Sequence, residues 1–291
     1  MRIGFIGAGK MGFTLGKYLV ENNLTEISKE LDYSVSGYYS QNIESAKTAA
    51  AFTDTNYYDK LEELINACDI IFITVPDGKI SEVVQQLDEF GTIKGKIICH
   101  TSGALSSQVF SGMNNMIYGY SVHPIYAVSS KTESYKNFSE CFITIEGNEE
   151  KLDIITMLFR QFGHNMEVIK CDDKVKYHSA AVFASNLVVG LYHMSVELLK
   201  ECGFSLDKAN CALKPLFINN AKNIYNCNEL KDSLTGPVQR ADVTTIRKHI
   251  DVLDDNSANV YKLLSNELLS IVNTEKNESY KEIQDILGGQ K

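Results

Sequence analysis

The sequence predicts an α/β protein in which a doubly wound, mostly parallel sheet is followed by an all-helical C-terminal domain. Three observations support this prediction. Up to about residue 170, short runs rich in Ile, Val and Phe alternate with amphipathic stretches, as in repeated βαβ units. Beyond residue 170 only helical patterns occur. The length of 291 residues also suits two domains, which we place at 1–170 and 171–291.

Seven segments of the first domain are predicted strands: Arg2–Ile6, Tyr33–Tyr39, Asp69–Thr74, Lys96–Cys99, Met116–Tyr120, Cys141–Ile145 and Met166–Ile169. Between the first two, Met11, Leu15 and Leu19 share one face of a helix. In the second domain the periodicity predicts helices over 172–202, 205–225, 242–253, 256–273 and 278–287. Asp172 is the expected N-cap of the first of these, and Gly203 follows its end.

Composition excludes several classes of protein. The net charge is −9, from 28 Lys and Arg against 37 Asp and Glu, which argues against nucleic-acid binding. Eighteen consecutive uncharged apolar residues are nowhere found, so we expect no membrane association. Seven Cys without C-x-x-C spacing favour a reducing, cytoplasmic environment and predict no metal site.

The strongest local signal is a glycine-rich turn between the first strand and the first helix. Gly7, Gly9 and Gly12 form a G-x-G-x-x-G pattern there. In dinucleotide-binding proteins the first such glycine permits a tight turn, the second lets the backbone approach the pyrophosphate, and the third allows the helix to pack closely against the strand. The pattern therefore predicts a Rossmann-like domain. The residues expected to bind the cofactor at this turn are Gly7, Ala8, Gly9, Lys10, Met11 and Gly12.

The segment after the second strand favours NADP, with NAD as the less favoured alternative. NAD-binding domains usually carry an acid there, for the ribose 2′-hydroxyl. Here Ser40 and Gln41 follow the strand, and the first acid is Glu44. Hydroxyl and amide groups are compatible with a 2′-phosphate, and Lys47 is a further cation nearby. The alternative is that Ser40 only begins the next helix.

Three more loops should lie at the carboxyl edge of the sheet, where ligands of open α/β sheets bind. Val75 and Pro76 are expected to line the cofactor site, and Asp77 to cap the next helix. The loop after the fourth predicted strand contains Ser102, and the one after the fifth contains His123. We predict that both contact a small-molecule substrate; the alternative is that His123 is only a hydrogen-bonded turn residue.

The long helix predicted over 172–202 combines a polar stripe with an apolar middle. His178, Ser185, Asn186 and His193 project to one side. We predict that His178 donates a proton and that Asn186 orients the substrate, while His193 is expected to bond to neighbouring helices. The stretch 180–194 is apolar almost all round and needs cover, in a bundle centre or at a subunit interface. We expect a homodimer through the helical domain.

Longer motifs resemble known families. The opening segment 4–12 looks like that of pyrroline-5-carboxylate reductases and of NADP oxidoreductases of the deazaflavin-dependent type. Together with segments 100–105, 122–124, 177–186 and 234–237, it resembles a bacterial two-domain family. That family pairs a Rossmann-like domain with a helical C-terminal domain of unknown function. Its relatives, the β-hydroxyacid and 6-phosphogluconate dehydrogenases, use a Lys followed four residues later by Asn, but His178 stands four residues after Lys174.

The sequence therefore predicts an NADP-dependent oxidoreductase that transfers hydride to or from a small, anionic carbonyl or imine compound. Ser102 and Gly103 match the substrate-contacting loop of the dehydrogenase relatives. One alternative is a nucleotide-binding sensor or regulatory protein without turnover. Another is an imine reductase of the pyrroline-5-carboxylate reductase type. The resemblance also implies an intertwined dimer.

Overall fold

A computed structural model describes residues 1–23, 30–272 and 278–288. The chain divides into two compact units, Met1–Ser185 and Asn186–Lys291. The sequence placed this division earlier, near Cys171. The helix that follows Cys171 groups with the first unit, where Lys174 is buried and Tyr177 bonds to two strand residues.

The first unit is built on an eight-stranded sheet in the order β3-β2-β1-β4-β5-β6-β7-β8. Its strands are β1 Arg2–Ile6, β2 Ser34–Tyr39, β3 Asn56–Tyr57, β4 Ile70–Ile73, β5 Ile97–His100, β6 Tyr118–Ile125, β7 Phe142–Gly147 and β8 Met166–Val168. Every pair is parallel except β6 with β7. The strand order reverses at β1, which places a ligand crevice beyond its carboxyl end.

Helices of the first unit cover both faces of this sheet. They are α1 Lys10–Asn23, α2 Ile43–Thr53, α3 Leu61–Ala67, α4 Asp77–Asp88, α5 Leu152–Arg160 and α6 Lys174–Phe183. Alternation along β4 shows why two layers form, since Ile70 and Phe72 join the buried cluster with α1, α2 and α5. Ile71 and Ile73 point the other way and join the cluster with α3 and α4.

The predicted fold class is confirmed, with local corrections. All seven predicted strands form, and the two-residue β3 was missed because it is too short for a periodic pattern. The segment 121–124, expected to be a loop, continues β6 and pairs antiparallel with β7. Pairing of β6 with β5 ends at Ser121, so Pro124 lies where β6 is paired on one side, a position that tolerates proline.

The helix predicted over 172–202 is interrupted. α6 ends at Phe183, and the second unit begins with α7 Asn186–Glu201. At the break, the Ser185 hydroxyl donates to the Ala181 carbonyl at 2.6 Å, a back-bond that often bends helices. The polar stripe expected to run from His178 to His193 is therefore not continuous. The expected N-cap was also wrong, because Asp173 holds that position, without a side-chain bond.

The second unit is helical in its described residues. After α7 come α8 Leu206–Asn226, α9 Val243–Val252, α10 Asp255–Ile271 and α11 Glu278–Ile286. Residue 273, the predicted end of the fourth helix of this domain, lies outside the described residues. Asp242 caps α9 by accepting from the Thr245 amide at 3.0 Å. The buried cluster of this unit involves Val238 and residues of α9 to α11.

One helical segment among the described residues, Cys171–Glu201, is long and apolar enough to cross a membrane by length and composition. A search for an uninterrupted apolar run does not find this segment, because polar residues such as His178 and Asn186 lie within the segment. Its most apolar stretch has a mean hydropathy of 1.4, and 6 % of it is buried in this chain. A single such helix is weak evidence for a membrane span. The sequence predicted that this segment lies either in a bundle centre or at a subunit interface. Within this one chain it does not lie in a bundle centre.

Candidate functional site

The glycine turn lies between β1 and α1, at the point where the strand order reverses. Gly7 has φ of +103°, a left-handed conformation that favours glycine. A Cβ at Gly12 would lie 2.5 Å from the Gly7 carbonyl oxygen, so the packing of α1 requires a glycine there. At Gly9, however, the nearest atom to an added Cβ is the Thr74 carbonyl oxygen, at 3.6 Å. The packing of the described residues therefore does not require a glycine at position 9, and the predicted role of Gly9 toward a ligand stays a prediction.

A pocket of about 300 Å³ opens beside this turn. It is lined by residues of the turn, of the segment after β2, and of the β4–α4 connection, among them Gly7, Ala8, Gly9, Ser40, Gln41, Asn42, Val75, Pro76, Lys79 and Glu82. No acidic residue stands in the first turn of α1, so its free N–H groups and helix dipole favour a phosphate. The residues present therefore fit a dinucleotide.

The charged residues of this pocket come from α4. Lys79 and Glu82 line the pocket and pair with each other at 2.9 Å. Lys47, which the sequence suggested as a cation for a 2′-phosphate, does not line it. The Lys47 ammonium pairs instead with Glu44 at 2.9 Å. The pocket thus holds a cation that the sequence analysis did not find.

Ser102 organises the loop that follows β5. Its hydroxyl donates to the Asp77 carboxylate at 2.7 Å and accepts from the amides of Ala104 and Leu105, at 3.2 and 3.0 Å. Asp77 was expected to cap α4, but Pro76 holds the N-cap position and Asp77 is the first helical residue. These bonds tie the loop after β5 to the start of α4, beside the cofactor pocket.

His100, at the end of β5, is a neutral structural residue. Its Nδ1 accepts from the Ser102 amide at 3.3 Å, and its Nε2 lies 3.2 Å from the Ser106 carbonyl oxygen. An imidazole that accepts at one nitrogen and donates at the other is uncharged. Burial lowers the pKa of His100 to about 4, which agrees with this state.

His123 and His178 meet around Gly103. Their ring centroids are 5.9 Å apart, with the rings nearly perpendicular. A Cβ at Gly103 would lie 2.4 Å from His178 Nδ1 and 2.8 Å from His123 Nε2, so only glycine permits this approach. His178 Nδ1 is buried and has no hydrogen-bond partner among the described residues. Such an atom calls for an explanation, and a ligand or water is one.

Tyr177 of α6 bonds to one residue of β6 and one of β7. Its hydroxyl lies 2.7 Å from His123 Nδ1 and accepts from the Thr144 hydroxyl at 2.7 Å. Thr144 lies directly opposite His123 in the β6–β7 ladder, which brings both side chains to one face. Burial is the largest cause that lowers the pKa of His123, to about 3, and the positive charge of Lys174 is the next.

Lys174, the first residue of α6, is 1 % exposed. Its ammonium nitrogen has no hydrogen-bond partner among the described residues and lies 5.3 Å from the centre of the Tyr177 ring. Burial lowers the pKa of Lys174 to about 8, against the opposing effect of the carboxylates of Glu146 and Asp77. Glu146 is itself buried, and accepts from the Ser107 amide and hydroxyl. The first unit therefore holds a cation, two carboxylates and three imidazoles beside the loop after β5.

Two parts of the chain match known domain families. Residues 2–102 match the family described as NADP oxidoreductase coenzyme F420-dependent. Residues 141–268 match a domain of unknown function, DUF2520. Taken together, the two matches support an NAD(P)-dependent oxidoreductase. The predicted resemblance to a two-domain oxidoreductase-like family is confirmed.

Solved structures share the fold of this oxidoreductase. A protein from Thermotoga maritima is 23 % identical with a TM-score of 0.71, and the match covers 94 % of this chain and all of that one. A pyrroline carboxylate reductase from Plasmodium falciparum, with NADP bound, is 17 % identical with a TM-score of 0.56, over 98 % of both chains. At these identities the likeness shows the fold alone.

One curated relative matches over a shorter span. A Bacillus subtilis protein proposed to be a 6-phosphogluconate dehydrogenase, YqeC, is 24 % identical over 160 residues. The match covers 55 % of this chain and 50 % of that protein, so the chain spans about half the length of this relative.

The structure locates the residues predicted for the oxidoreductase site. Gly7, Ala8 and Gly9 line the pocket beside the turn, with Ser40, Gln41, Val75 and Pro76. Lys10, Met11 and Gly12 form the first turn of α1, and none of the three lines the pocket. Ser102, His123 and His178 come together around Gly103. Asn186 is the first residue of α7 and belongs to the second unit, whereas the other three residues belong to the first unit. The roles given to all of these residues stay predictions.

Sequence reasoning missed Asp77, Thr144 and Tyr177 as members of this cluster. Tyr177 had a usable signal, since it directly precedes His178 on the same predicted helix. Thr144 had none, because its link to His123 depends on the antiparallel pairing of β6 with β7. Asp77 was explained as a helix cap, a local interpretation that left no reason to look for a distant partner such as Ser102.

Proposed function

We propose that this oxidoreductase uses NADP to transfer hydride to or from a small, anionic carbonyl or imine compound. The observation that supports this most is the cluster of Lys174, His123 and His178 in the first unit, joined to the cofactor pocket through Ser102 and Asp77. A buried ammonium group favours an anionic substrate, because its own chain supplies no hydrogen-bond partner among the described residues.

The pocket beside the glycine turn supports a preference for NADP over NAD. Ser40 and Gln41 offer polar groups without charge. Lys79 pairs with Glu82 in the same pocket, and a 2′-phosphate would compete with that carboxylate for the Lys79 ammonium group. Calorimetry should show tighter binding of NADPH than of NADH. Lys79→Ala should weaken NADPH binding about tenfold and leave NADH binding nearly unchanged. Lys47→Ala is the matched control. Equal affinity for the two cofactors in the wild type would overturn the preference.

The predicted catalytic residues have different roles in the proposed reaction. When bound, the nicotinamide supplies or accepts the hydride. In the reducing direction His178 gives a proton to the carbonyl oxygen or imine nitrogen, while His123 orients that group. Ser102 acts through its loop, because its hydroxyl already bonds to Asp77 and to two backbone amides. The assignment of Asn186, the first residue of α7, to the substrate stays a sequence prediction. A carbonyl is thereby reduced to an alcohol, or an imine to an amine.

The reaction is tested with a panel of keto acids, aldehydes and cyclic imines, by following NADPH consumption. Imines belong in the panel because pyrroline carboxylate reductase and imine reductases share this fold. For an active compound, His178→Ala should reduce kcat by about 10²- to 10⁴-fold with NADPH affinity nearly unchanged. His193→Ala, which removes an exposed imidazole on α7, is the control. Full activity of His178→Ala would overturn the assignment of the proton donor.

An inactive panel combined with tight NADPH binding would instead favour a sensor without turnover.

A further inference from the structure

The hydrogen-bond chain Thr144–Tyr177–His123 determines which nitrogen of His123 carries a proton. Thr144 Oγ1 donates to the Tyr177 hydroxyl oxygen. That hydroxyl has one hydrogen, and its other neighbour is His123 Nδ1, at 2.7 Å. Since Thr144 is the donor on one side, His123 Nδ1 is the acceptor that lies within reach of the Tyr177 hydrogen. In the neutral ring the proton then sits on Nε2.

The surroundings of His123 keep the ring neutral. Burial is the main reason why the pKa of His123 falls to about 3, and Lys174, His178 and His100 lower it further. Lys174 and His178 face the ring from α6, and His100 from β5. Across the ladder, β7 contributes the uncharged Thr144. The two carboxylates of the cluster bond elsewhere, Glu146 of β7 to Ser107 and Asp77 of α4 to Ser102, and neither is among the groups that shift the pKa of His123.

The protonated nitrogen points toward the proposed reaction site. His123 Nε2 lies beside Gly103, where a Cβ would be 2.8 Å away, and His178 Nδ1 borders the same position from α6. No hydrogen bond to Nε2 is found among the described residues. The ring is thus fixed at Nδ1 and presents a free N–H group at Nε2, next to the loop after β5.

We propose that His123 is a neutral hydrogen-bond donor that polarises the substrate carbonyl or imine through Nε2–H, and that Thr144 and Tyr177 are positioning residues that hold this tautomer. The role toward substrate rests on the proposed function, whereas the tautomer does not. A neutral imidazole polarises an acceptor atom without giving up its proton. Proton transfer is left to another group, and the two histidines at Gly103 have different tasks.

The tautomer can be measured without any substrate. In ¹⁵N-labelled protein, long-range ¹H–¹⁵N correlation spectra distinguish protonated from unprotonated ring nitrogens, and the spectrum of His123→Gln assigns the His123 signals. We expect an unprotonated Nδ1 and a protonated Nε2, unchanged between about pH 5 and pH 8. A protonated Nδ1, or an imidazolium near pH 6, would overturn the proposal. Either result is independent of whether turnover is found.

The positioning role is tested by Tyr177→Phe, which removes the donor to Nδ1 and keeps the ring. This variant should show a mixture of the two His123 tautomers. With an active substrate, kcat should fall about ten- to hundredfold while NADPH affinity stays within about twofold. Tyr280→Phe is the matched control, since the Tyr280 hydroxyl donates to the Gln239 carbonyl within the second unit. An unchanged His123 spectrum in Tyr177→Phe would contradict the role of the hydroxyl.

Discussion

Lys174 carries an ammonium group in a buried position, where loss of hydration disfavours its charged form. Its pKa falls from 10.5 to about 8 because burial disfavours the charged form. Between these values the unfolded chain binds more protons than the folded one, so this residue makes the free energy of unfolding rise with pH. Below about pH 8 the cost of burying the charge is present in full, and it amounts to at most about 3 kcal/mol.

Lys174→Met should therefore stabilise the first unit at pH 7, and the gain should shrink as the pH rises from about 8 to about 10. Urea unfolding of the variant and the wild type at several pH values measures this difference. Comparing the two proteins cancels the titration of cysteines and tyrosines, which is common to both. Lys176→Met, which changes an exposed lysine of the same helix, should show no pH-dependent difference. A stability difference independent of pH would contradict the assigned burial cost.

The turn between β1 and α1 shows how one element serves both fold and ligand. Gly12 is required by packing, because a Cβ would collide with the Gly7 carbonyl and the Thr74 hydroxyl. Gly9 meets no such obstacle. We expect Gly9→Ala to keep the unfolding midpoint near that of the wild type and to lose most of its NADPH affinity. Gly12→Ala should lower the midpoint clearly.

Calorimetry and thermal unfolding of the two variants separate these effects. Retained NADPH binding in Gly9→Ala would show that the pyrophosphate does not approach this glycine. An undisturbed midpoint in Gly12→Ala would show that α1 can shift to accept a methyl group.

The interruption after Phe183 is a second feature at the scale of elements. A single amphipathic pattern runs through 172–202, so the periodicity predicts one helix. The bond from the Ser185 hydroxyl to the Ala181 carbonyl accompanies the break, and α6 then packs into the first unit. Its side chains at Lys174, Tyr177 and His178 belong to the polar cluster as a result.

For the whole molecule, the exposed apolar surface of α7 and α8 is the main open feature. Val189 is 69 % exposed and Leu216 is 66 % exposed, and neither helix contributes to the buried cluster of the second unit. An apolar groove of about 240 Å³ lies between the two helices, lined by Val188, Val189, Tyr192, Lys214, Phe217 and Ile218. Surfaces of this kind mark interaction sites. We propose that a second copy of the chain covers them across a two-fold axis.

Light scattering at micromolar concentration should therefore give twice the 32.5 kDa of one chain. Val189→Glu should produce a folded monomer, because a carboxylate cannot be buried in an apolar contact without a partner. Val252→Glu is the control, since Val252 lies on α9 and is 81 % exposed. A wild-type mass of 32.5 kDa would overturn the dimer. Recovery of the protein only with detergent or membranes would instead favour the membrane as the cover.

The sequence by itself determined the features whose signals are local. Apolar runs predict the long strands, and the spacing of Gly7, Gly9 and Gly12 predicts the dinucleotide turn, because each needs only neighbouring residues. The tertiary structure alone decided which polar side chains meet. The pairing of β6 with β7 brings Thr144 to Tyr177. Asp77 and Ser102 follow two different strands and bond to each other. Lys174 is buried when α6 packs into the first unit. Hydrogen bonds and burial depend on distances between residues far apart in the chain, and periodicity carries no information about those distances.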